Sequence, residues 1–136
     1  MPSTSQLTGM RGVYLVAAEL SRHGFVASPT SRSARGADIL ATDLKCRRAV
    51  SIQVKANAST FSFWLVSEHF KEMVSDSHVY VFVNLRDSAT EFFVVPSKVV
   101  ARKVITEKTR GGVWRSFMRE DALPYKDKWS VLRRRK

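Results

Sequence analysis

Near the start of the chain Met10, Val13, Tyr14, Ala17 and Leu20 recur at three- and four-residue spacing and form one apolar stripe. The stripe predicts an amphipathic helix from about Gln6 to His23, stopped at Gly24, after a disordered lead-in over residues 1–5. Beyond it the period shortens. Phe25–Ser28 reads as a short strand, and Pro29–Gly36, rich in Ser and Arg, reads as a loop. Ala37–Asp43 and Ala49–Ala56 then predict an antiparallel hairpin around Leu44–Arg48. Phe61–Val66 is aromatic and β-prone, Ser67 is placed to cap a short helix carrying Phe70, Met73 and Val74, and His78–Leu85 and Glu91–Val95 read as strands. Pro96 is suited to open a helix with Val99, Val100 and Val104 on its apolar side. After Gly111-Gly112, the spacing of Trp114, Phe117 and Met118 suggests a last helical segment, with Trp129 and Leu132 anchoring the C-terminus. The expected order is α-β-β-β-(α)-β-β-α, an α/β fold with a mixed central β-sheet flanked by helices.

Length and composition bound this picture. A chain of 136 residues with 44% apolar content can bury one core, so a single domain over residues 1–136 with a basic C-terminal tail is expected. No apolar run approaches the roughly 18 to 20 residues that cross a bilayer, and the N-terminus lacks a signal-peptide core. A soluble cytoplasmic protein without a membrane partner is therefore expected. Cys46, the single cysteine, can form neither an internal disulfide nor a thiolate zinc site alone.

Charge changes the picture more. Lys and Arg total 23 against 12 Asp plus Glu, a formal net charge of +11 that attracts polyanions. The cations cluster: Arg32 and Arg35 in the loop before Asp38, Lys45, Arg47 and Arg48 in the next turn, and Arg133–Lys136 at the end. DNA is the expected partner, with those loop and turn residues as its contacts.

The candidate chemistry lies between the two clusters. Gly36-Ala37-Asp38-Ile39-Leu40-Ala41 puts a carboxylate on one strand, and Ser51-Ile52-Gln53-Val54-Lys55 puts an amide and an ammonium on the next. Strand side chains alternate, so Gln53 and Lys55 project from one face while Val50, Ile52 and Val54 project from the other. If Asp38 ends its strand on the same side, the three polar groups converge.

This pattern resembles the PD-(D/E)XK phosphodiesterase superfamily, which includes many restriction enzymes, archaeal Holliday-junction resolvases and some homing endonucleases. The resemblance spans roughly the N-terminal two thirds of the chain and implies a restriction-endonuclease-like core. Asp38 matches the superfamily's aspartate, Gln53 its acidic position, Val54 the spacer and Lys55 the lysine. It implies catalytic roles for Asp38, Gln53 and Lys55, and Mg²⁺ or Mn²⁺ held by Asp38, the Gln53 amide oxygen and the Val54 carbonyl. The bound metal would activate water, while Lys55 would offset charge developing on the phosphate.

Two positions depart from the pattern. Gln53 removes one negative charge from the metal site, and Val13 stands where many relatives carry a helix glutamate. Glu19 lies about 120° around the helix from Val13 and does not substitute for that glutamate; a second acid could come from Asp43 or from another subunit. Three functions follow: a metal-dependent DNA endonuclease acting as a homodimer or higher homo-oligomer, a nuclease-fold protein that binds nucleic acid without cutting it, or a basic interaction protein that shares only the architecture.

Overall fold

The computed structural model describes residues 3–31 and 36–133. Helix α1 (Thr4–Arg22) begins at Ser3, whose hydroxyl accepts from the Gln6 amide while the Gln6 side chain accepts from the Ser3 amide. This reciprocal cap satisfies two donors that the first turn would otherwise leave open. Eight strands follow: β1 (Phe25–Pro29), β2 (Ile39–Asp43), β3 (Ala49–Asn57), β4 (Phe63–Leu65), β5 (His78–Asn84), β6 (Glu91–Pro96), β7 (Ile105–Thr109) and β8 (Gly112–Met118). Helix α2 (Ser97–Lys103) follows β6, and α3 (Arg119–Ala122) precedes two 3-10 turns, Leu123–Tyr125 and Trp129–Leu132.

The main sheet has the order β1-β2-β3-β5-β6. Its pairs are antiparallel except β3 with β5, which run parallel with Ser51 opposite His78 and Gln53 opposite Tyr80. Strand β5 is buried along its whole length, and its alternating residues feed two cores. Val79, Val81 and Val83 pack with Val16 and Leu20 of α1 and with Ile39, Ile52 and Val54. Tyr80 and Phe82 pack with Val99 and Val100 of α2 and with Trp64 and Phe117. The result is a mixed central sheet flanked by helices, as the strand pattern predicts. Gly12 lets α1 approach this sheet, since a Cβ there would lie 2.7 Å from Ala56 Cβ.

Several expectations fail. Helix α1 begins at Thr4, inside the expected lead-in of residues 1–5, and its buried line is Gly12, Val16 and Leu20, while Tyr14 of the expected stripe is exposed. Residues after Ser67 form turns, not a helix; the Ser67 hydroxyl caps only the His69 amide, at 3.2 Å. The segment after Gly111-Gly112 is strand β8, which lies between β4 and β7 in a second, three-stranded sheet. Trp114, Phe117 and Met118 satisfy helical spacing, but Phe117 turns inward onto Phe82, ring centroids 4.7 Å apart, while Trp114 turns outward. Pairing across the Arg110-Gly111 turn with β7, which carries no apolar alternation of its own, decides the conformation.

The two sheets are joined at one end by a buried polar network. Glu91 accepts from Asn84 (3.2 Å) and from Arg119 (3.2 and 2.6 Å), with Lys126 Nζ at 3.6 Å. The Arg119 hydrogen bonds, offset in part by burial, lower the Glu91 carboxyl from 4.5 to about 2. Because the folded value lies below the unfolded one, this stabilisation is present above about pH 4.5 and is lost as pH falls through about 2. Thermal denaturation across that window should show the wild type losing stability more steeply than Glu91→Gln, whose curve is flatter and lower at neutral pH.

Candidate active site

Asp38 sits at the point where the chain enters β2. Its amide donates to the Ile52 carbonyl at 2.8 Å, and its carbonyl accepts from the Thr30 amide at 2.9 Å. Continuing the β2–β3 register, in which Ile39 faces Ile52, sets Asp38 beside Gln53. The carboxylate then takes the place of a further strand residue: Asp38 Oδ2 accepts from the Val54 amide at 2.8 Å and from Gln53 Nε2 at 3.2 Å. Val50, Ile52 and Val54 are buried on the α1 side, whereas Gln53 and Lys55 are half-buried on the opposite face.

Lys55 lies one pleat beyond Gln53 on that face and forms no salt bridge among the described residues. Burial lowers its pKa, and the negative charge of Asp38 opposes the shift, so its proton is released more readily than that of a solvated lysine. Across the parallel pairing, the polar row Ser51, Gln53, Lys55 abuts His78, Tyr80 and Phe82 of β5. Ser51 Oγ lies 2.7 Å from His78 Nδ1. Burial lowers the His78 pKa against the Ser51 hydrogen bond and the Asp38 charge, and raises that of Tyr80.

Gly36 shapes the approach. Its φ of +75° suits glycine, and a Cβ there would overlap the Met73 thioether and lie 3.9 Å from Gln53 Oε1. Met73 therefore packs beside the cluster rather than on a helix stripe. Met73, His78 and Tyr80 were invisible as site neighbours in the sequence, because only the parallel register and the turn after Ser67 bring them there.

The structure gathers Asp38, Gln53 and Val54, and places Lys55 half-buried on the same sheet face as Gln53. It does not gather the basic residues with them. Lys45 and Arg47 are exposed on the β2–β3 turn, at the other end of a strand about 17 Å long. Asp43 closes that turn by accepting from the Arg47 amide at 2.8 Å, so it stands away from Asp38 and supplies no second acid there. Arg48 is half-buried and donates to the Leu132 and Asp76 carbonyls at 3.0 and 2.7 Å. Arg32 and Arg35 lie outside the described residues. On α1, Val13 packs against the first core and Glu19 pairs with Arg22 at 3.1 Å.

Among the described residues no three His, Cys, Asp or Glu side chains gather as a metal cage. The donors present are one carboxylate, whose Oδ1 receives no hydrogen bond among the described residues, and the neutral Gln53 amide oxygen. That set fits Mg²⁺, which is commonly held by one or two carboxylates and completed by water and substrate phosphate oxygens.

With this geometry the chain is similar to the solved structure of Archaeoglobus fulgidus Hjc, a Holliday junction resolvase from an archaeal hyperthermophile. The TM-score is 0.56 at 18% identity, over 85% of this chain and 93% of that chain. The likeness is one of fold. No family model matches the chain, and no curated protein matches it.

The bond from the Val54 amide to Asp38 separates two substitutions. Asp38→Asn retains an acceptor for that amide and should unfold within about 1 kcal/mol of the wild type, whereas Asp38→Ala strands the donor and should lose about 1–3 kcal/mol. Chemical denaturation of both variants checks this; equal stabilities would show that the contact contributes nothing.

Proposed function

We propose that the protein is a metal-dependent DNA endonuclease that hydrolyses phosphodiester bonds. The direct contact of Asp38 with Gln53, with Lys55 next along the same face, carries this reading. A resolvase-like fold and a formal charge of +11 support it. Asp38, the Gln53 amide oxygen and the Val54 carbonyl are the groups that would hold Mg²⁺ or Mn²⁺. Such an ion, when bound, supplies water of lowered pKa and polarises the phosphoryl oxygen.

The chain's own residues have separable tasks. Asp38 fixes the Gln53 amide and the β3 backbone, so the donors are preorganised before substrate arrives. Lys55 presents its ammonium to the phosphate, where charge grows as water oxygen bonds to phosphorus and the bond to the leaving oxygen breaks. Partial burial strengthens that interaction and eases proton release to the departing oxygen. Lys45 and Arg47 meet the DNA backbone away from the cut, adding salt-sensitive affinity without reading sequence. One such site cuts one strand, so a homodimer is the acting form on a duplex or junction.

A second reading, a nuclease-fold protein that binds DNA without cutting it, draws on the single carboxylate of the cluster and on Val13 in α1. Incubation with supercoiled and branched DNA in Mg²⁺ or Mn²⁺ discriminates. Asp38→Asn and Lys55→Ala should each lower cleavage by about a hundredfold or more while DNA retention stays close to wild type. Salt-sensitive binding with no metal-dependent cutting by the wild type would leave only the binder. Gln53→Glu adds a carboxylate oxygen and should shift the Mg²⁺ dependence of cleavage to lower concentration; an unmoved dependence would remove Gln53 from the ligand set.

A further inference from the structure

The starts of β3 and β5, the first turn of α2 and residues 125–133 border a concavity of about 560 Å³, within the range that holds small organic ligands. Arg48, Lys98, Lys128 and Arg133 line it against one carboxylate, Asp76. Two of these cations are anchored: Arg48 on the Leu132 and Asp76 carbonyls, and Arg133 on the His23 carbonyl at 3.1 Å. The other two are available, since Lys98 and Lys128 form no ion pair among the described residues; Lys128 Nζ lies over the Tyr125 ring at 5.5 Å. Concentrating like charge around one cavity is unfavourable in the absence of an anion.

The inner side supplies an independent observation. His78 borders the cavity, is only 6% exposed, and uses Nδ1 on Ser51. Its Nε2 is buried with no hydrogen-bond partner among the described residues. Buried polar atoms in native proteins are nearly always paired, so this one lacks its usual partner; it is closed to water, and a ligand in the cavity would reach it only with a small shift of the lining side chains.

We propose that this cavity binds a phosphate monoester, whose oxygens are taken by Lys98, Lys128 and the imidazole of His78. A phosphate monoester matches the lining because it brings close to two negative charges and three acceptor oxygens to several donors at once. The cavity is larger than a bare ion needs and leaves room for an attached nucleoside. Two sources carry that chemistry, the phosphorylated end of a DNA strand and a free nucleotide. The site borders the Asp38 cluster through His78, which bonds Ser51 two residues before Gln53, but it shares none of Asp38, Gln53, Val54 and Lys55, and binding there does not depend on cleavage.

The full chain, with chelator present so that nothing is cut, is titrated by calorimetry with three probes: adenosine monophosphate, a short single-stranded oligonucleotide bearing a 5′-phosphate, and the same oligonucleotide without it. The His78 imidazole is followed by NMR in parallel. The phosphorylated oligonucleotide or the nucleotide should bind about tenfold or more tightly than the unphosphorylated strand, with a shift of the His78 resonances. The Lys98→Ala/Lys128→Ala variant, altered only at exposed side chains, should lose that difference while keeping the wild-type melting temperature. Tight binding of the nucleotide assigns the site to free nucleotides; preference for the phosphorylated strand alone assigns it to strand ends. Equal binding of phosphorylated and unphosphorylated strands with no nucleotide binding, or phosphate-dependent binding undiminished in the double variant, overturns the proposal.

Discussion

The parallel pairing of β3 with β5, closed between two apolar layers, is the constraint on which the rest of the molecule depends. Parallel strands need a long crossover and bury both faces, and β5 meets that demand with valines on one side and aromatic rings on the other. Twelve large side chains in the two cores are essentially inaccessible to water, and four of them belong to β5. A slip of one residue would turn Val79, Val81 and Val83 toward the aromatic layer and expose the mismatch at both faces. The register is therefore fixed by packing, and with it the position of every polar group on β3.

The candidate site follows from that rigidity. Beyond the point where β2 begins, the edge of β3 would leave an amide unpaired, and the Asp38 carboxylate fills that role while its other oxygen remains available. One side chain thus serves the sheet and the proposed chemistry at once. The same sheet face changes character across its width, from the exposed Leu40 on β2 through the half-buried Gln53 and Lys55 to the buried Tyr80 and Phe82. The polar groups stand at the boundary between exposed surface and aromatic core, where burial strengthens charge interactions.

Charge is distributed by the same architecture. The β2–β3 turn holds Lys45 and Arg47 in solvent, whereas Arg48 ties the start of β3 to the C-terminal segment and borders the basic concavity. Residues adjacent in a basic run therefore have different tasks, one group facing solvent and the other closing the fold.

Much of this was legible in the chain. Helix α1 and the β2–β3 hairpin carry a local period, β5 and β6 are short β-prone apolar runs, and the alternation of Ser51 to Lys55 places Gln53 and Lys55 opposite a buried valine-isoleucine row. Strand β7 was not legible, because it is exposed throughout and carries no apolar alternation, and β8 passes for a helix because Trp114 and Phe117 stand at helical spacing, whereas in the strand they face opposite sides. Their conformation comes from their mutual pairing and from β4, which lies more than fifty residues before its partner positions in β8. Period and composition by themselves determined most of the core-facing residues of the main sheet, though not Val16, which is buried outside the expected stripe, or Tyr14 and Trp114, which are exposed. Only the tertiary structure decided that Asp38 bonds Gln53, that His78 and Tyr80 flank them, and that Arg48 turns to the C-terminus, because those contacts depend on strand order and register, which local sequence does not encode.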